Sequence, residues 1–104
     1  MQEFLYKLQL VRADLLRTGP TNAEQAIVSE HFAYLQGLHA QGVIILVGRT
    51  LNTDETAMGL AVFRAESEDA AREIMNNDPA VTKGLMMATL YPFKVSLLGN
   101  EKSV

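Results

Sequence analysis

Two histidines, an aspartate that precedes a proline and three arginines in the first half of the chain are the side chains best suited to chemistry in this 104-residue sequence. His31 stands four residues after Ile27 and four before Leu35, a spacing that places all three on one helix face, the face that packs inward. An imidazole there is a candidate proton carrier near neutral pH. The same position also suits a core histidine whose ring nitrogens bond to backbone or water, and periodicity does not choose between the two. Asp78-Pro79 is the pattern of a helical-turn start, with aspartate capping free amides and proline at the first helical position. Such a cap occupies one carboxylate oxygen and leaves the other open to a further donor.

Other chemistries are poorly served. His31 and His39 are eight residues apart on the same helix, roughly 12 Å at 1.5 Å per residue, so they cannot share one ion. His39 reads instead as a residue of the last helical turn, favoured by the helix dipole. Cysteine is absent, which removes disulfides, thiolate ligands and a cysteine nucleophile. No HExxH, phosphate-loop, dinucleotide-binding, nucleophile-elbow or paired-carboxylate pattern occurs, so neither a cofactor nor a metal is expected. Arg12, Arg17, Tyr34 and Arg49 are candidates to line a pocket mouth and hold an anionic group, although each is also an ordinary surface residue. Met58, Met75, Met86 and Met87 suit core or interface filling.

The elements that must position these residues follow from the apolar pattern. Residues 4–11 alternate, with Phe4, Tyr6, Leu8 and Leu10 on one side, and form a first strand. The segment 12–20 breaks the pattern. Thr21 and Glu24 then make a capping box, and a helix runs from Ala23 to about Gln41, closed by Gly42. Residues 43–51 give a second strand, 52–56 a polar turn, and residues 58–64 a third strand. Ser67 caps a second helix that ends near Asn76-Asn77, and a short turn from Asp78-Pro79 closes at Gly84. Residues 86–98 read as a last strand, with Pro92 suited to a sheet edge.

The order β-α-β-β-α-β predicts a ferredoxin-like α+β fold, a four-stranded antiparallel sheet with its helices on one face. One domain over residues 1–98 and a polar tail over 99–104 are expected. Strands two to four carry apolar residues on both faces. Val43, Ile45 and Val47 oppose Ile44 and Leu46, and Met58, Leu60 and Val62 oppose Ala61 and Phe63. Two helices cover only one face, so a homodimer packed sheet to sheet is expected.

A net charge of −3 with nine scattered basic residues argues against a nucleic-acid partner, which needs clustered positive charge. The N-terminus lacks the layout of a secretory signal, and the longest apolar run, Val43 to Val47, is far short of the ~20 residues of a membrane helix. A cytoplasmic location without membrane attachment is the expectation.

The series His31, Leu35, Leu38, Gly42, Gly48, Gly59, Ser67, Ala70-Ala71, Asp78-Pro79, Gly84 and Pro92-Phe93 resembles the YCII-related (YciI-like) family over nearly the whole chain. The resemblance implies a dimeric α+β barrel and a pocket with a His–Asp pair proposed for acid–base chemistry, here His31 and Asp78. One enzyme of this fold removes HCl from a chlorinated hydroquinone, and the fold is similar to that of muconolactone isomerases. The chain departs from the family in the long polar segment after strand one and in the loop 52–57. On this reading the carboxylate fixes the imidazole tautomer, and His31 moves a proton in an elimination or isomerisation of a small molecule, cyclic or aromatic ones included. Arg12, Tyr34 and Arg49 are the substrate-binding candidates. The alternatives are a non-catalytic ligand-binding or accessory module with the same pocket, and a purely structural dimerisation domain.

Overall fold

The computed structural model describes residues 1–99. The polar tail expected after Leu98 therefore falls, from residue 100 onward, outside the described residues. Eight elements follow one another: β1 Gln2–Leu10, α1 Leu15–Thr18, α2 Asn22–Ala40, β2 Ile44–Arg49, β3 Gly59–Ala65, α3 Glu68–Asn76, α4 Pro79–Thr82 and β4 Met86–Phe93. The strands form one antiparallel sheet in the order β2-β3-β1-β4. This is the ferredoxin-like α+β arrangement.

Directly opposed residues of an antiparallel pair share a face, so the register sorts the side chains. Phe4 opposes Phe63, Tyr6 opposes Ala61 and Leu90, and Leu8 opposes Gly59 and Ala88. These point at the helices and form the core with Leu35 and Leu38 of α2 and Ala71 and Met75 of α3. The Tyr6 ring meets Phe63 edge-on at 5.5 Å between centroids, and Phe4 lies 6.1 Å from Phe63; aromatic pairs at this spacing stabilise beyond the area they bury.

Helix α2 begins where the capping box predicts. Thr21 accepts from the Glu24 amide, and the Glu24 side chain accepts from the Thr21 amide. Gly42 follows at φ +78, a conformation that favours glycine and ends the helix. Ser67 caps α3 and Asp78 caps α4, with Pro79 at the first helical position.

Three expectations need correction. Residues 12–20 contain a helical turn, α1, because Leu15 is buried beneath it. Strand β2 does not alternate strictly. A register shift between Ile44 and Leu46 brings Ile44 opposite Phe63 and Val47 opposite Ala61, so both face the helices. Strand β4 stops at Phe93 rather than Leu98. Beyond it, the Val95 amide donates to Glu3 Oε1 at 2.9 Å.

The face turned away from the helices carries Leu46, Met87, Tyr91 and Phe93, each at least 42% exposed. Among the described residues no helix covers them.

Candidate active site

Asp78 is where the elements converge. It sits between α3 and α4, is fully buried, and is the one buried charged residue among the described residues. A buried carboxylate is costly unless donors surround it, and three do. The Ala80 amide donates to Oδ1 at 2.9 Å as the α4 cap, and the Tyr6 hydroxyl donates to Oδ2 at 2.9 Å. His31 Nδ1 lies 2.7 Å from Oδ1 and 2.9 Å from Oδ2. A β-strand, the long helix and a helix cap thus supply one donor each, across 72 and 47 residues of chain.

This geometry defines the imidazole. A carboxylate only accepts, so Nδ1 carries the hydrogen and donates it, and in the neutral ring the lone pair falls on Nε2. Nε2 makes no hydrogen bond among the described residues, and the His31 side chain keeps 14% of its surface exposed. Burial, followed by the charge of Asp78 and the bond to it, pushes the Tyr6 phenol far above its usual range. Tyr6 is therefore an O–H donor at neutral pH.

His31 opens onto a pocket of about 630 Å³. Leu8, Gly59 and Ala61 make its floor on the sheet, and Val28, His31, Phe32 and Leu35 of α2 form one wall. Leu15, Leu16 and Pro20 close one end, while Arg49, Thr50, Ala57 and Met58 close another. The two segments that depart from the family pattern, 12–20 and 52–57, thus both contribute to the rim.

Of the candidates read from the sequence, His31 and Asp78 are brought together, and Arg49 lines the same pocket. Arg12 is corrected. All five of its N–H groups are occupied, by Glu24 at 2.6 and 3.0 Å, by Asp14 and Thr18 at 3.0 Å, and by the Gly19 carbonyl at 3.1 Å. It holds the β1–α2 connection and has no donor left for a ligand. The contact with Arg12 holds the Glu24 carboxyl down at about 2. Tyr34 also lies outside the pocket lining, and its hydroxyl donates to the Ile74 carbonyl at 2.6 Å. Burial raises its phenol, and the charges of Asp78 and Glu73 add to that. Among the described residues no group of three or more metal-ligating side chains forms.

Tyr6 is the site residue that sequence reasoning missed. The signal was available: the β1 alternation puts Tyr6 between Phe4 and Leu8 on the buried face, and a buried hydroxyl requires a partner.

An antiparallel βαββαβ sheet with an inward His–Asp pair defines a class of small α+β proteins, and comparison with known proteins narrows it. The family model of the YCII-related domain matches residues 9–94; the chain belongs to the YCII-related family. Among curated proteins none matches it. A solved structure of 5-chloro-2-hydroxyhydroquinone dehydrochlorinase (TftG) from Burkholderia phenoliruptrix AC1100, in complex with 2,5-dihydroxybenzoquinone, is similar at 26% identity and a TM-score of 0.61. The match covers 88% of this chain and 93% of that one.

Proposed function

We propose that this chain is a small acid–base enzyme that needs no cofactor, in which His31 Nε2 takes or returns a proton on a small ring-shaped molecule during an elimination or isomerisation. The observation that carries the reading is the 2.7 Å contact of His31 Nδ1 with Asp78, which leaves the opposite ring nitrogen at the pocket wall. Asp78 is a positioning residue. It fixes the tautomer and ring orientation and does not reach the pocket lining. The pocket volume falls within the range of ordinary small-ligand sites, about 300–1,000 Å³, and the similarity to a dehydrochlorinase makes elimination the first chemistry to test. In such a step the hydroquinone reacts as its keto tautomer, whose chlorine-bearing ring carbon also carries a hydrogen: Nε2 accepts the proton of a ring hydroxyl, the O–H electrons form a carbonyl, the neighbouring ring double bond shifts, and chloride leaves with the C–Cl pair to give a hydroxyquinone.

Chloride release from 5-chloro-2-hydroxyhydroquinone, measured for the wild type and His31→Ala, tests the reading. Release by the wild type and its loss in the variant are expected. Undiminished release by the variant contradicts the proposal. One observation favours a second reading, a ligand-binding module without turnover: few polar groups line the pocket to meet charge that develops during a reaction. Ligand-induced stabilisation without product would select it. The expected homodimer remains part of the proposal, with Leu46, Met87, Tyr91 and Phe93 on the face that a second copy would cover; sedimentation of a Tyr91→Asp variant as a monomer tests it.

A further inference from the structure

We propose that the pocket selects a small planar molecule bearing a negative charge, and that Arg49 is the residue that recognises the charge. The inference rests on the reading of the His31 pocket as the working site and adds the class of substrate. The sheet register supplies the first reason. Leu8, Gly59 and Arg49 stand side by side across β1, β3 and β2 on the face turned to the helices. The central member of that row has no side chain. A Cβ built at Gly59 meets nothing nearer than 3.8 Å, so a shallow floor lies open between an apolar side chain and a guanidinium. A flat ring fits such a floor, with α2 closing over its other face.

The second reason is what is left unpaired. Arg49 is the one permanently charged residue in the lining, and among the described residues no carboxylate pairs with it. The nearest acid along the chain, Asp54, is engaged by the Asn52 amide and by the backbone amide and hydroxyl of Thr56. The Thr50 hydroxyl is likewise used, accepting from the Met58 amide and donating to the Met58 carbonyl. The polar groups that remain for a ligand are His31 Nε2, the Gln25 amide and the Arg49 guanidinium. A guanidinium presents a planar fork that matches paired anionic oxygens. The chain as a whole is negative and offers anions no general attraction, so selection for them must be local.

The test is calorimetric titration with 2,5-dihydroxybenzoquinone, a vinylogous acid that is anionic at neutral pH, with its neutral dimethyl ether and with salicylate as a second anion. Wild-type protein is expected to bind at least one anion more than tenfold tighter than the ether, with affinity falling as salt rises. Arg49→Gln should lose that preference, Arg49→Lys should keep part of it, and binding of the ether should stay within about twofold. Arg49 is exposed and unpaired, so both variants should melt with the wild type. Equal affinity of wild type and Arg49→Gln for the anions, or no anion binding by the wild type, overturns the inference. Its failure is separable from that of the acid–base reading. His31→Ala with no turnover beside an indifferent Arg49→Gln sinks only the anion preference, whereas an active His31→Ala beside an Arg49→Gln that has lost the anions sinks only the catalytic role.

Discussion

The two sides of the His31 ring differ in how completely their polar groups are satisfied. On the Nδ1 side a fully buried carboxylate is met by Tyr6, Ala80 and the imidazole itself, and no buried side-chain nitrogen or oxygen among the described residues lacks a partner. On the Nε2 side lies an open pocket in which an imidazole nitrogen, a guanidinium and an amide have no partner among the described residues. The saturated side holds geometry, because each bond there is costly to leave unmade. The unsaturated side is free to act on something else. One side chain, His31, belongs to both.

Substitutions should separate these regions. The largest effect is expected at the shared residue: His31→Ala should lower turnover on the order of 10²–10⁴-fold, the usual contribution of general acid–base catalysis, with a modest loss of stability in thermal melts. Asp78→Ala should be the most damaging change to the fold. It strands the buried Tyr6 hydroxyl, removes the α4 cap and leaves His31 unheld, so a stability loss of about 3 kcal/mol in urea titrations is expected. Tyr6→Phe removes one donor and keeps the ring against Phe63, at a cost of about 1 kcal/mol.

On the pocket side the sign reverses. Gly59→Val replaces the missing side chain of the floor in a strand that favours β-branched residues. It should hold or raise stability, by up to about 1 kcal/mol, while abolishing ligand binding. The smallest effect is expected at the pocket rim, at Glu24, whose bonds to Arg12 tie down the 12–20 segment. Its carboxyl is held at about 2 by Arg12, below the ordinary value of 4.5, so the contact stabilises above that ordinary value and fades as pH falls towards 2. Glu24→Gln should therefore melt slightly below the wild type at neutral pH and level with it near pH 2.

Much of the frame was legible in local sequence. The capping box at Thr21 and Glu24, the glycine at 42 and the Ser67 cap are short-range signals, and each marks a helix end in the structure. The β1 alternation gave the inward face, and His31 could be placed by its spacing from Ile27 and Leu35. Three features escaped because long-range packing decides them. The turn of α1 forms because Leu15 finds a buried seat, the irregularity in β2 arises in its pairing with β3, and Arg12 is captured by an acid twelve residues away. The anion-binding candidates illustrate the point. Arg12 and Arg49 look alike in sequence, yet one is saturated and the other faces the pocket.

The most direct measurement is long-range nitrogen NMR of the His31 side chain. A hydrogen on Nδ1, a free lone pair on Nε2, and a shift of Nε2 alone when 2,5-dihydroxybenzoquinone is added are expected. A hydrogen resident on Nε2 in the neutral ring, with Nδ1 unbonded, would contradict the role proposed for His31.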